Sequence, residues 1–571
     1  MTGTADMDLM AGRVRLTPRP ADAAGSVLPA CFIGHCPGRV RPERLRPRAR
    51  AALRDIGFGA AVDHLDAAHP PGPAAAPPAA PGAASTGELD AATRARLSAL
   101  KHLPLPLRAA AELTDLFPDA ATATAGHPST LGGSGAWLPQ AVADFFANGG
   151  ELLWVIVVPE AEGRGGFFGL PEAALADPDA AHPSAPLPLH MPLALRGLGL
   201  ALAIPDIGIL ALPDLERLQV PPTLAGPPRV RLPNPAPRFL PCSVRHDDGH
   251  RERRHGPEMV SPTPPLPTLT LLGAVAGALA DYRPDLMCLY TLPLAAAGTH
   301  RDPVPQPAAL AQLAARAGSG WSRGRRLQLL WPYLRDADLG LRSAVGVVAG
   351  AQAQVAARLG PWRSAAGMAL VSAGNPYPPV AREQAAALRT SPGVGVLHQR
   401  GGSLELEDER LLVPALHPTD AVGRTAPGWR SGEVQRFLGW LQRRLRRLGE
   451  ALVFDADPDD PRVPLLLERF CRSLHDRGAL RGAQPRDAFS IRPLRPVGGA
   501  PPGVLGYELE LAPAFPLDRV RLTFVNQAGS WGPASGGPAS GGPASGGPAS
   551  GGPASGGRGA VGADGRPAAA A

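Results

Sequence analysis

The sequence predicts an α/β protein of mixed α+β character: an α/β body, a C-terminal α/β unit, extended terminal arms and a repeat tail with no fold of its own. Three observations predict it. Short continuous apolar runs recur between helical patterns, as in LPQAVADFFANGGELLWVIVV over 138–158. Such alternation marks strands covered by helices on both faces. Two amphipathic helices and two alternating strands close the ordered chain, and Pro/Gly-rich stretches separate the blocks.

Residues 89–117 carry a helical pattern, and 136–148 form a second helix that Gly149 and Gly150 end as a C-cap signal. Leu152–Val158 then reads as a buried strand. IGILALP (207–213), LMCLYTLP (286–293) and RLQLLWPY (326–333) repeat that strand type, with a helix over 306–317 and an Ala/Val-rich helix or loop over 343–358. In 431–449, Val434, Phe437, Leu438, Leu441, Leu445 and Leu448 fall three and four apart and share one face. Burying six such side chains contributes about 10 kcal/mol before entropy costs. The opposite stripe is Arg436, Trp440, Arg443 and Arg447, expected on a wet face or against an acidic partner. LVFD (452–455) reads as a short strand, and 464–477 as a helix with Leu466, Leu467, Phe470 and Leu474 inward and Gly478 at its C-cap. YELEL (507–511) and RVRLTFV (519–525) alternate; in the latter, Val520, Leu522 and Phe524 share one side.

Three segments read as unstructured: HPPGPAAAPPAAPGAAS (69–85), the proline-rich 221–266, and the C-terminus, where PASGG repeats five times from Pro533 to Gly557. None carries enough large side chains to form a core. The domain reading is therefore an N-terminal arm over 1–22, a body over 23–390 with low-complexity insertions at about 60–88 and 221–266, a C-terminal domain over 391–530 and a disordered tail over 531–571.

Composition excludes some classes. The chain has 571 residues and 57 basic against 50 acidic side chains, and Lys101 is its only lysine. A net charge of +7 permits an acidic partner without naming one. Cys31, Cys36, Cys242, Cys288 and Cys471 are odd in number and scattered, which argues against a disulfide framework. The N-terminus lacks a signal-peptide pattern, and no apolar run approaches the ~20 residues that span a bilayer.

The sequence carries none of the common catalytic motifs in complete form. LGGSGAW lacks the last glycine of a nucleophile elbow, and no phosphate loop, H-E-x-x-H or C-x-x-C occurs. Cys31 and Cys36 flank His35 without a second pair to complete a zinc site, so they read as plain thiols. His246-Asp247-Asp248-Gly249-His250 is metal-like in composition but sits in a Pro/Arg-rich loop, and DADPDDP (455–461) reads as a helix-entry turn. RVRPERLRPRARAALR (39–54) has seven arginines and no interleaved aromatic, so it reads as a solvated or assembly-facing surface and not a nucleic-acid reader.

The order of the blocks resembles contractile tail sheath proteins. LPQAVADFFANGGELLWVIVV is similar to that family's helix ending in FF-NGG before a strand, and IGILALPDLERL to its strand and Pro-Asp turn. SAVGVVAGAQAQVAARLGPWRSAAG resembles its AG…G-x-W-x-A stretch through Val347–Gly350, Gly360, Trp362 and Ala365, with the family's acidic residue replaced around Ala356–Ala357. SPGVGVLHQRGG resembles its strand and turn. GRTAPGWRSGEVQRFLGWLQRRL resembles its helix entry through Arg424, Thr425, Trp429, Arg430, Arg436 and Phe437. FDAD stands where FEPN is usual, and RFCRSLHDRGALRGAQPRDAFSI is similar to the family's last helix and turn. The likeness runs in order through most of 24–35 and 136–527. The usual N-terminal arm is reduced to GRVRLTPRP (12–20).

The resemblance implies a structural subunit, not an enzyme, that polymerises helically around an inner tube and contracts. Its partners would be copies of itself, the tube protein, and baseplate and terminator proteins, with no cofactor or metal, no direct nucleic-acid contact and no membrane insertion. Assembly would be cytoplasmic, in a phage tail-like particle. The family's subunits are stapled by lent strands; the candidates here are Arg13, Val14, Arg15 and Leu16 at one end and Val520, Leu522 and Phe524 at the other. Arg436, Arg443 and Arg447 would face the tube. The alternatives are another component of the same machine, such as a baseplate protein, a hydrolase with a scattered triad, and a basic nucleic-acid-binding module.

Overall fold

The computed structural model describes residues 27–68, 89–124, 135–170, 187–220, 268–293, 324–335, 340–380, 385, 388, 393–412, 430–452, 461–493, 506–514, 520–527 and 530–533. The arm residues Arg13 to Leu16, Cys242, the 246–250 cluster, the helix expected at 306–317 and the PASGG repeats beyond Pro533 lie outside them.

From its N-terminal side the body runs β1 (Ala30–Gly34), α1 (Pro47–Asp55), α2 (Gly59–Ala68), α3 (Ala91–Ser98), β2 (Pro104–Leu107), α4 (Ala110–Leu116), α5 (Leu138–Ala147) and β3 (Leu153–Val157). It continues with α6 (Gly165–Phe168), α7 (Gly197–Ala203), β4 (Ile209–Ala211), α8 (Pro213–Arg217), α9 (Thr268–Tyr282), β5 (Met287–Thr291), β6 (Leu327–Trp331), β7 (Tyr333–Arg335) and β8 (Leu341–Arg342). After α10 (Val345–Arg358) come β9 (Ala369–Leu370), β10 (Asn375–Tyr377), β11 (Gly395–Arg400) and β12 (Ser403–Leu406).

Among the described residues nine strands form the main sheet, in the order β2-β3-β1-β4-β5-β6-β11-β12-β9. The six from β3 to β11 are mutually parallel. Every residue of β1, β3, β4, β5 and β6 is buried, as their continuous apolar runs require when helices cover both faces. The order β3-β1-β4-β5-β6 places the first strand inside the sheet, so the winding reverses beside β1 as in doubly wound folds. On one face α5 and α10 approach closely. A methyl group at Gly346 would lie 2.4 Å from the Ala141 carbonyl oxygen, and one at Gly350 would lie 2.3 Å from that of Phe145. The two glycines, one turn apart, are what allow the contact.

Several expectations change. The pattern over 89–117 is not one helix, because Pro104 and Pro106 cannot sit in a helix interior and instead occupy the edge strand β2. Residues 60–68, taken as the start of an insertion, belong to α2, which sends Ala61, Val62 and Leu65 into the core. The apolar run over 326–333 divides at Pro332 into β6 and β7. The ambiguous 343–358 stretch is the helix α10.

The C-terminal unit consists of α11 (Gly432–Leu452), α12 (Arg462–Asp476), α13 (Pro485–Ala488) and the antiparallel sheet β13 (Phe489–Pro493), β14 (Gly506–Leu511), β15 (Val520–Gln527) and β16 (Ser530–Pro533), in that order. It has its own core, built on Val434, Phe437, Leu441, Leu445, Val463, Leu467, Cys471, Leu474, Leu509 and Leu522. The strand expected at 452–455 is absent at its first position, since Leu452 ends α11; 453–460 lie outside the described residues. The tail boundary at 531 falls inside β16.

Candidate functional site: a buried joint and an open sheet edge

Helix α11 is buried on both sides. Its apolar stripe enters the C-terminal core as expected. The arginine stripe corrects the expectation: Arg436 is 2% exposed and Arg443 is 7% exposed, so neither lies on a wet face. Trp440 is buried as well and packs on Trp362, Phe437 and Phe470. The cause is the body, which covers the side of α11 that the helix pattern alone leaves to solvent. Only Arg447 keeps an exposed position, with its Nε donating to Asp206 at 3.0 Å.

At the first turns of α11 the body and the C-terminal unit meet in a joint. The fully buried Glu409 accepts two hydrogen bonds from the Arg436 guanidinium, and one from the Ala365 amide at 2.5 Å. Arg436 Nη2 also donates to the Arg363 carbonyl at 2.9 Å. Backbone bonds close the same corner: the Gly432 amide donates to the Glu409 carbonyl at 2.7 Å, and the Leu411 amide to that of Arg430 at 2.8 Å. Trp362, from the body, leaves the body's core and packs edge-on against Phe437 with ring centres 5.9 Å apart. Motif residues far apart in sequence, Trp362, Ala365, Arg436 and Phe437, therefore converge here.

Two turns along, Asp285 makes a second lock. Its carboxylate receives Arg283 Nε and Nη2 at 2.9 Å each and Arg443 Nη1 at 3.2 Å, while Arg443 Nη1 also donates to the Asp285 carbonyl at 2.7 Å. Burial alone would raise this carboxyl's pKa, but the Arg283, Arg443 and Arg446 charges outweigh it and hold it below the usual range. Burial draws the Arg443 pKa down to about 10, opposed by Asp285. A methyl group at Gly439 would lie 2.1 Å from the Asp285 carbonyl oxygen, so glycine lets α11 reach this contact.

The carboxyl ends of the parallel strands, where open α/β sheets bind ligands, are closed by the chain itself. Asp214, at 0% exposure, accepts from the amides of His35 (2.9 Å), Trp137 (2.8 Å) and Leu138 (3.0 Å) and from Arg217 Nε (2.9 Å). One carboxylate thus ties β1, α8 and the first turn of α5 together. His35 lies edge-on to Phe167, and its Nδ1 bonds the Val158 carbonyl. Glu216 beside it accepts the Thr291 amide at 2.8 Å, and burial pushes its carboxyl up to about 8. Cys31 and Cys36 are buried free thiols pushed up by burial. Among the described residues no cluster of acidic, His or Cys side chains could hold a metal, and no helix is long and apolar enough to cross a membrane.

The arginine run over 39–54 is largely engaged within the chain. Arg46 and Arg48 reach Glu112, Arg50 is buried on Asp66 and the Leu45 carbonyl, and Arg54 bridges Asp63 and Asp66. Arg50 is thus a correction to the expected solvated surface.

The two sheets end differently. The main sheet stops at β2, whose two prolines lack amides, and at the two-residue β9. The C-terminal sheet stops at β13, a five-residue edge strand with burial falling toward solvent, and at β16, which runs beside α11. The expected lent strand is corrected here: β15, with Val520, Leu522 and Phe524, lies inside its own sheet, paired with β14 and β16 of the same chain. A strand with both neighbours in place has no free ladder to offer.

Of the four acids Asp214, Asp285, Glu409 and Glu216, only Asp214 enters the sequence analysis, as the Pro-Asp turn of IGILALPDLERL. A signal existed for two of them: Pro213-Asp214-Leu215 and Pro284-Asp285-Leu286 repeat one tripeptide beside β4 and β5.

No protein-family model and no curated protein matches the chain. Similar solved structures include sheath and baseplate structures of contractile particles. The helical sheath of the anti-feeding prophage in its contracted state is 14% identical over 90% of this chain and 98% of that one, with a TM-score of 0.45. The sheath of the extracellular contractile injection system PVC, also contracted, is 13% identical over 73% and 84%, with a TM-score of 0.43. A sheath tail protein from Desulfitobacterium hafniense is 11% identical over 45% and 52%, with a TM-score of 0.31.

Proposed function

We propose that this chain is a structural subunit of a contractile tail sheath, polymerising around an inner tube within a phage tail-like particle assembled in the cytoplasm. The observation that carries the reading is the contrast of sheet edges among the described residues: a main sheet that ends at a two-proline strand and a two-residue strand, and a C-terminal sheet whose edge strand β13, with a proline only at its last position, is paired on one side, with β14. An open edge is a template for a strand from another chain, with main-chain hydrogen bonds supplying affinity. The collinear sheath motifs support the same reading, as does their convergence on one joint. The closed carboxyl ends of the parallel strands speak for packing as the body's work and against turnover of a substrate.

In this reading the N-terminal arm with Arg13, Val14, Arg15 and Leu16 is the strand that a neighbour adds to β13. Arg447, the exposed member of the three arginines, faces the tube. Baseplate and terminator proteins cap the assembly, and contraction is a collective shift between two packings. The test is electron microscopy and sedimentation of the protein co-expressed with its tube partner. Amides along an antiparallel edge strand point alternately inward and outward. One of Ser490→Pro and Ile491→Pro therefore removes an outward donor only. The expected result is long ordered polymers from the wild type, and folded subunits without polymers from that variant and from a deletion of residues 1–20. Polymers from all of them would overturn the reading.

A further inference from the structure

Gln328 of β6 and Gln352 of α10 form a polar pair inside the body. Both are 0% exposed, and Gln352 Nε2 donates to Gln328 Oε1 at 2.9 Å. That single bond leaves each amide half served. Gln328 Nε2 and Gln352 Oε1 are buried, and neither has a hydrogen-bond partner. Turning both amides over exchanges donor for acceptor and still leaves one of each unserved. A closed pair with two bonds would serve both, and the structure forms only one of the two.

The immediate neighbours cannot help. One turn to either side on α10 stand Val348, Ala349, Val355 and Ala356, all buried and apolar. On the sheet, the β5 residue paired with Gln328 is Leu289. The nearest polar side chain along β6 on the same face is Arg326. Its carbonyl accepts the Cys288 amide at 2.7 Å, so the ladder and its alternation extend back to it. It therefore stands on the face of Gln328, roughly 7 Å along the strand and within reach of a guanidinium. Arg326 is 2% exposed, and its Nε and Nη1 are likewise buried without a partner. The place adjoins the joint: a methyl group on Gly432 would lie 3.1 Å from Gln328 Oε1 and from Glu409 Oε2 alike.

We infer an internal hydration site: an ordered water that accepts from Gln328 Nε2 and from the Arg326 guanidinium and donates to Gln352 Oε1. Polar groups buried dry are costly, and internal waters typically make about three hydrogen bonds to groups of this kind. The mixture of unserved groups selects water. An anion would serve the donors but repel the Gln352 oxygen, and a metal cation would repel the guanidinium. The water joins α10 to β6 beside the start of α11, so the joint rests on a bound water as well as on the Glu409–Arg436 pair. The inference concerns the single subunit, so it stands or falls separately from assembly into a sheath.

The experiment is a crystal or electron cryo-microscopy structure of the full chain at a resolution that defines ordered waters. The expected result is one density peak at hydrogen-bond distance, about 2.7–3.2 Å, from both side-chain amides and from the Arg326 guanidinium. Two outcomes would overturn the inference: the amides closed into a doubly bonded pair, or well-ordered amides with no peak within that distance. The wild-type structure decides this without any variant having to fold. As a second arm, the double variant Gln328→Met with Gln352→Met fills the same space with apolar groups and should lose the peak. A peak that persists there is held by other groups and also overturns the assignment.

Discussion

The body and the C-terminal unit solve the same packing problem in opposite ways. In the body, six parallel strands are sealed between helices and the sheet ends where pairing stops, at Pro104, Pro106 and the two-residue β9. In the C-terminal unit, β14 alternates half-exposed and buried positions from Glu508 to Leu511, and burial along the edge strand β13 falls toward its C-terminal end. Among the described residues the first arrangement ends in strands that offer little backbone for pairing. The second has a ladder that another strand can extend. The difference shows where main chain is exposed: among the described residues the covered parallel sheet presents little unpaired backbone, whereas the small antiparallel sheet presents the outer side of β13.

That contrast can be broken most severely at the lock between the halves. Asp285→Ala leaves Arg283 and Arg443 buried without their carboxylate. It is expected to cost about 3–5 kcal/mol, read as a lower urea midpoint. An unchanged midpoint would mean that the Asp285 lock contributes nothing and that the Glu409–Arg436 joint and apolar contacts hold the halves.

Next comes Glu216, buried in the body with its carboxyl raised to about 8 from 4.5. The folded state holds the proton more tightly, so this group's stabilisation is full below about 4.5 and is lost as pH climbs to about 8. Glu216→Gln escapes that loss. Its stability relative to wild type should grow by up to ~1.4 kcal/mol per pH unit in this window, measured by urea unfolding from pH 5 to 8. A constant difference would place the carboxyl in contact with water.

Asp214→Asn keeps the shape but cannot accept as strongly from three amides and Arg217, and a loss of about 1.5–3 kcal/mol is expected in the same assay. The smallest effect is at the exposed end of α11. Arg447→Glu should change the subunit's stability by no more than about 1 kcal/mol, because its pair with Asp206 is solvent-screened. If Arg447 faces the tube, the same variant should weaken co-sedimentation with the tube protein; unaltered binding would remove it from that face.

Much of this fold is legible from local pattern. The runs at 152–158, 207–213 and 286–293 each contain the strand they imply, and 136–148 contains α5 with Gly149 turning the chain at φ 84°. The amphipathic helices of the C-terminal unit keep their inward residues. The joint was half legible. Trp362, Ala365, Arg436 and Phe437 stood out as motif residues, but Glu409 did not, because a single acid after a strand carries no periodic signal. A helix pattern sends the Arg436/Arg443 stripe outward, to water or to an acidic partner such as the tube, because it assigns every polar stripe to the outside of the chain. The partners that reverse this, Glu409 and Asp285, lie 27 and 158 residues away.

By itself the sequence determined most of the buried strands of the main sheet and which faces of the long C-terminal helices are apolar, since both depend on residue types at spacings of two to four. Only the tertiary structure decided that α11 is covered on both sides, that Asp214 closes the carboxyl ends of the sheet, and that β15 is paired within its own chain. Each of those rests on contacts between distant segments, and burial of a charge is settled by whether a distant partner arrives to meet it.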